Sequence, residues 1–276
     1  MEDLDFTRPA KSPIYDPAIA RQCFESLGKA VSMAQGESFF VENQKSDKMY
    51  LLLEGDVSLI RGTKLIDIVK ESEIFGEMAL ISQQPRSATA VARTACRVIC
   101  LDAKQFQSAI ERTPEFAIML MNIMINRLRL TIARLSISKA LPDWGGSNES
   151  RVFDEKLLTD LGRALQERSP QHCPLNKVIM REGEAGVFMY VVLKGRVAIA
   201  IQSTVVERIG PGGVLGEMAL VDQSPRVATA TAETDCSLLA INRRDFLNLV
   251  KTKPDFGLSL LKSLAERLRY MNSQLK

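Results

Sequence analysis

The sequence predicts two copies of one α+β domain in a single chain, each an antiparallel, jelly-roll-like β-roll flanked by N- and C-terminal helices. Three observations carry this expectation. A motif-rich segment occurs twice, short β-type runs precede it in both copies, and helical spacing follows it in both.

The repeat comes first. Phe75-Gly-Glu-Met-Ala-Leu-Ile-Ser-Gln-Gln-Pro-Arg-Ser-Ala-Thr-Ala-Val-Ala92 returns as Leu215-Gly-Glu-Met-Ala-Leu-Val-Asp-Gln-Ser-Pro-Arg-Val-Ala-Thr-Ala-Thr-Ala232, with 12 of 18 positions identical. The offset of 140 residues, as from Glu77 to Glu217, holds without a gap outside the segment. Tyr50 pairs with Tyr190, Gly55 with Gly195, Phe106 with Phe246, and Arg127-Leu128-Arg129 with Arg267-Leu268-Arg269. A period this long marks a duplicated domain rather than a solenoid unit.

Upstream of the segment, Met49–Leu53 and Val57–Ile60 have strand composition, as do Phe188–Leu193 and Val197–Ile201. Glu54-Gly55-Asp56 and Lys194-Gly195-Arg196 break these runs as turns, where glycine supplies positive φ at little cost. Asn43 stands where copy two has Gly183, and both types tolerate the left-handed region. Downstream, Phe116, Leu120, Ile123, Met124, Leu128 and Leu135 fall at three-to-four spacing, as do Leu260, Leu261, Leu264, Leu268 and Met271. Pro142-Asp-Trp-Gly-Gly-Ser-Asn148 has linker composition. The expected division is residues 14–140, a linker at 141–152, and residues 153–276.

Composition bounds the function. Apolar content is 46%, charged content 25% and net charge +3 over 276 residues. This is ordinary globular composition, with no global pull towards nucleic acid or anionic membrane. The most apolar run, Phe116 to Ile125, is followed by Asn126, Arg127 and Arg129, so no membrane span is expected. Five cysteines without a C-x-x-C pair and a single histidine argue against disulfides or a metal centre. The acidic start Met1-Glu2-Asp3-Leu4-Asp5 lacks a secretory signal, and the chain reads as cytoplasmic.

The repeated segment has the chemistry of an anion cradle. Gly76 and Gly216 let the backbone approach a ligand, and the residues after them can form a turn with outward N–H groups. Arg86 or Arg226 can give a planar fork to two phosphate oxygens. Glu77 or Glu217 suits a ribose hydroxyl instead. The plain alternative is a structural arginine paired with that glutamate; recurrence of the whole segment favours phosphate.

Gly76-Glu77-Met78-Ala79-Leu80 through Pro85-Arg86-Ser87-Ala88-Thr89, and its copy Gly216-Glu217-Met218-Ala219 through Arg226-Val227-Ala228, is similar to the phosphate-binding cassette of cyclic nucleotide-binding domains. These occur in regulatory subunits of cAMP-dependent protein kinase and in bacterial catabolite activator proteins. The resemblance implies tandem cyclic nucleotide-binding domains and a cyclic mononucleotide, cAMP or cGMP, as ligand, with no other cofactor. It implies that Glu77 and Glu217 hold the ribose 2′-hydroxyl and that Arg86 and Arg226 pair with the phosphate. Backbone at Ala79, Ser87, Ala219 and Val227 would add donors, and the helix after each roll would move as a lid.

Several expectations follow. Glu71-Ser72-Glu73-Ile74 replaces the Pro211-Gly212-Gly213-Val214 of copy two, so the first site should have a looser turn and weaker binding. Val227, lacking the hydroxyl of Ser87, leans the second site towards cAMP. Tyr270 and Trp144 are candidate aromatic caps over the base. Ile118, Met119, Met121 and Ile125 form a surplus apolar face that allows a homodimer seam.

The function expected is a non-enzymatic regulator signalling to a protein effector. An activator-type transcription factor would need a DNA-binding module, which the second copy leaves no room for. The N-terminal Thr7–Pro13 is only mildly basic and gives little support to kinase inhibition. A duplicated roll that serves protein interaction without ligand is the remaining alternative.

Overall fold

The computed structural model describes residues 15–141, 151–165 and 168–274. The first domain opens with α1 (Pro17–Leu27), where the Asp16 carboxylate accepts from the Ala18 amide at 2.9 Å and Pro17 occupies a position that needs no donor. Its strands are β1 (Lys29–Met33), β2 (Ser38–Phe40), β3 (Lys48–Glu54), β4 (Val57–Arg61), β5 (Lys64–Val69), β6 (Ile74–Phe75), β7 (Thr89–Ala92) and β8 (Cys96–Asp102). Helix α2 (Glu77–Ser82) lies between β6 and β7, and α3 (Ala103–Arg112) and α4 (Pro114–Ile137) follow the roll. The second domain repeats this order. It runs through α5 (Glu155–Ala164), β9 (Gln171–Cys173), β10 (Val178–Met180), β11 (Phe188–Lys194), β12 (Val197–Ile201), β13 (Thr204–Ile209) and β14 (Val214–Leu215). Then come α6 (Glu217–Asp222), β15 (Thr229–Ala232), β16 (Cys236–Asn242), α7 (Arg243–Thr252) and α8 (Pro254–Ser273).

Each roll is two four-stranded antiparallel sheets. In the first domain the orders are β1-β8-β3-β6 and β2-β7-β4-β5, and in the second β9-β16-β11-β14 and β10-β15-β12-β13. The register repeats as well: Tyr50 faces Cys100, and Tyr190 faces Ala240. Gly55 (φ 93°) and Gly195 (φ 88°) take the left-handed turns expected of them, as do Asn43 (φ 66°) and Gly183 (φ 82°). Ser72 takes φ 70° where copy two has Gly212 at 84°. A side chain there is strained, and the Tyr15 hydroxyl, donating to the Ser72 carbonyl, helps hold it. The turn expected to be looser in copy one is thus held by Tyr15, just ahead of α1.

The exit helices join the two halves. Ala117 of α4 lies against Gly257 of α8, its equivalent at the 140-residue offset. Fourteen residues along α4, the Thr131 hydroxyl donates to Asn272 Oδ1 at 3.0 Å. The first contact joins like positions and the second is one residue out (Thr131 corresponds to Met271), so α4 and α8 run parallel and nearly in register over about 20 Å at 1.5 Å rise per residue. Met119, Met121 and Ile125 are buried in one continuous core with Leu260, Leu261 and Leu264. The surplus apolar face expected to seam two chains is therefore covered within one. α4 has the length and composition to cross a membrane, but Phe116, Leu120, Met124 and Leu128 are buried inside the protein.

Candidate functional site

Both cassettes fold around a glycine and an arginine. Gly76 (φ 77°) and Gly216 (φ 80°) precede α2 and α6 in the left-handed region, and neither helix has a side-chain cap. Glycine is required twice over. A Cβ at Gly76 would sit 2.7 Å from Arg86 Nη1, and one at Gly216 would sit 2.4 Å from Arg226 Nη1. The freedom expected for ligand approach is thus also room for the protein's own guanidinium.

Arg86 is 1% exposed and Arg226 6%. Arg86 donates from Nη1 to the Gly76 carbonyl at 2.6 Å, and from Nη2 to Ser46 Oγ and the Lys48 carbonyl, both at 2.6 Å. Phe40 lies under it, with Cζ 3.9 Å from the ring centroid. Arg226 donates from Nη1 to the Gly216 carbonyl at 2.7 Å and from Nη2 to the Phe188 carbonyl at 2.5 Å. Among the described residues neither arginine forms an ion pair. Burial accordingly pushes both below the usual guanidinium range. Arg86 Nε is buried with no hydrogen-bond partner among the described residues.

The neighbouring glutamates are neutralised by other arginines. Glu77 Oε1 accepts from Arg127 Nη1 of α4 at 2.6 Å. Glu217 Oε1 accepts from Arg267 Nη1 of α8 at 2.5 Å, and Arg267 Nη2 also donates to Glu207 Oε1 at 3.2 Å. Burial disfavours the Arg267 charge, yet the two carboxylates more than offset it and raise its pKa. The pairing of cassette arginine with cassette glutamate weighed from sequence is not the arrangement found. Each glutamate instead ties its cassette to its own exit helix.

Arg127, Arg267, Ser46 and Glu207 did not stand out as site residues in the sequence. The signal available was a pair of arginines recurring inside otherwise apolar helices. Met78 and Met218 are half-buried beside Ala79 and Ala219, which are buried, as are Ala88 and Ala228. The Ser87 carbonyl accepts from Arg61 Nε at 3.3 Å. Tyr270 is half-buried against the core, and Arg267 and Met271 are the α8 residues that line the second site. Trp144 lies outside the described residues.

The second site contains a cavity of about 80 Å³. Its walls include Gly216, Glu217, Arg226 and Val227 of the cassette, Met180 and Ile201 of the roll, and Leu128 and Ile132 from the first domain's α4. A groove of about 330 Å³ adjoins it, between α4 and the second roll at Ser136, Gln202 and Val227. In the first domain, Phe40 and Phe75 stand where Met180 and Leu215 line the cavity, and Tyr50 stacks on Phe75 at 5.1 Å. No group of three metal-ligating side chains occurs among the described residues.

With this geometry in hand, comparison with known proteins is decisive. The family profile described as the cyclic nucleotide-binding domain matches residues 30–113 and 170–253. The chain belongs to the cyclic nucleotide-binding domain family. It is similar to a cyclic nucleotide-gated potassium channel of Rhizobium etli, 38% identical over 110 residues covering 40% of this chain and 30% of the channel. It is similar to the cAMP-dependent protein kinase regulatory subunit of Yarrowia lipolytica, 26% identical over 237 residues, 85% of this chain and 57% of that subunit. A cyclic AMP receptor protein of Thermus thermophilus is 36% identical over 107 residues, 37% of this chain and 50% of that protein. This chain thus spans less than two thirds of each. Among solved structures, the regulatory domain of Toxoplasma gondii PKA with cAMP matches 93% of this chain and 95% of its own, at 19% identity and TM-score 0.33.

Proposed function

We propose that the chain is a non-enzymatic receptor for a 3′,5′-cyclic mononucleotide, reporting occupancy to a protein partner through α4 and α8. One observation carries this reading: among the described residues each cassette holds a buried guanidinium with no ion-pair contact, beside a glutamate that is already paired elsewhere. A buried, unpaired cation is costly, and a ring-closed phosphate supplies the missing negative charge while its ribose hydroxyl meets Glu77 or Glu217. The functional units are residues 14–140 and 153–276, joined by 141–152. At the second site Glu207 and Arg267, already paired with each other, are the charged walls beyond the cassette, the rest are apolar, and Val227 offers no hydroxyl. That favours cAMP there. Regulation of a protein is supported by the kinase regulatory subunit among the relatives, and a cytoplasmic setting accompanies it.

Calorimetric titration of the full chain with cAMP and cGMP tests the reading. Binding at the second site is expected to be tighter for cAMP, and Arg226→Gln is expected to weaken it by about 10- to 100-fold, as loss of a charge-assisted fork does. No response to either nucleotide at millimolar concentration overturns it.

A further inference from the structure

The exit helix of the first domain reaches into the cassette of the second. Arg129 Nε and Nη2 donate to Asp222 Oδ2 and Oδ1 at 2.6 and 3.1 Å, a two-pronged pair, while Nη1 donates to the Pro225 carbonyl at 2.9 Å. Side-chain exposure is 22% for Arg129 and 11% for Asp222, so this is not a solvated surface contact. Its targets bracket the turn that ends at the phosphate arginine. Asp222 closes α6, and its Oδ1 also accepts from the Ser224 amide at 3.0 Å. Pro225 immediately precedes Arg226, whose own amide donates to the Glu184 carbonyl at 2.8 Å and whose carbonyl accepts from the Gly183 amide at 2.9 Å. The Arg226 backbone is therefore fixed from its own roll on one side and from the first domain on the other.

The repeat supplies an internal control. Arg269, the equivalent of Arg129, donates to the Pro85 carbonyl at 2.5 Å. Ser82 stands where copy two has Asp222, so this reverse contact has no carboxylate at that position. Burial lowers the Arg269 pKa, and the positive charge of Arg61 lowers it further. The trans contact at the second cassette is thus ionic and doubly anchored, whereas that at the first is a single bond to a carbonyl.

We propose that Arg129 is a positioning residue for the second nucleotide site, which is incomplete without the first domain's exit helix. Two residues earlier on that helix, Arg127 grips Glu77 of the first cassette. One helix therefore holds both cassettes, and a change at Glu77 moves the anchor of Arg226. Cavity walls from the same helix, Leu128 and Ile132, give that displacement a second route to the ligand. The proposal rests on the receptor reading above.

The test is calorimetric titration with cAMP in an Arg86→Gln background, where the second site alone is left to answer. Arg129→Gln is expected to weaken binding about tenfold, as removal of a two-pronged charged pair does. Asp222→Asn is expected to do the same, and the exchange Arg129→Asp with Asp222→Arg to recover most of the loss. A residue that acted only in folding would show no such recovery. If Arg129→Gln lowers the unfolding midpoint appreciably, Arg129→Lys decides, since it keeps the charge and stem but not the fork; it is expected to lie between. Binding by Arg129→Gln or Arg129→Lys equal to the parent overturns the positioning role alone. Failure of the parent itself to bind overturns the receptor reading and the positioning role with it.

Discussion

At the first site Arg86 is tied to three acceptors and lies over the Phe40 ring; at the second Arg226 has two acceptors and opens onto a cavity. The counter-ions differ in the opposite sense. Arg127 serves one carboxylate with 44% of its side chain exposed, whereas Arg267 serves two with 11% exposed. The comparison teaches that duplication kept the cassette and redistributed its constraints. The first site is stiffened at its cassette arginine, and the second at the exit helix that crosses it.

The largest effect expected from this contrast is on stability. Arg267→Met strands two buried carboxylates, Glu207 and Glu217, and is expected to cost about 3–5 kcal/mol, whereas Arg127→Met strands only Glu77, beside a helix face open to water, and is expected to cost about 2 kcal/mol. Chemical denaturation of the two variants checks this, and equal losses would break the contrast. Next come the cassette arginines. Arg86→Gln leaves up to three acceptors short of a donor and is expected to cost about 2–3 kcal/mol, against about 1–2 kcal/mol for Arg226→Gln. The same denaturation curves decide it, and a larger cost for Arg226→Gln would reverse the ranking.

The smallest expected effect sharpens the comparison at one atom. Ser46 binds Arg86, while its equivalent Gly186 leaves no space, since a Cβ there would lie 2.6 Å from Arg226 Cζ. Ser46→Gly is expected to strengthen cAMP binding at the first site by about threefold by releasing one neutral hydrogen bond. Gly186→Ser should push Arg226 aside and weaken the second site. Titrations in which both variants shift affinity in the same direction would show that position 46 and its copy do not govern the difference.

The duplicated architecture was legible because its signals are local. Glycines at 55, 76, 195 and 216 take the left-handed conformations that their surroundings require, and the strands between them follow the expected order. The cassette was legible as a motif, but its internal wiring was not. Charge pairing depends on which helix passes over the cassette, and Arg127 lies 50 residues from Glu77. The bond from Arg129 to Asp222 spans 93 residues and two domains. No propensity or spacing rule encodes such a contact. The surplus apolar face around Met121 left room in the sequence for a partner beyond its own roll, with a second chain as the candidate. Its true partner was a parallel copy of itself, 140 positions on, already present in the chain as Gly257 and its neighbours.

That parallel helix pair places like positions of α4 and α8 side by side along an approximate two-fold axis. In an assembly of identical subunits every substitution at such an axis appears on both sides and must suit itself. Covalent fusion lifts that requirement. Ser82 can differ from Asp222, and Arg61 from Ile201, without either change being mirrored. Tethering also fixes the concentration of one half as seen by the other, so their association does not weaken on dilution. The chain can therefore hold two unlike domains side by side at any cellular abundance.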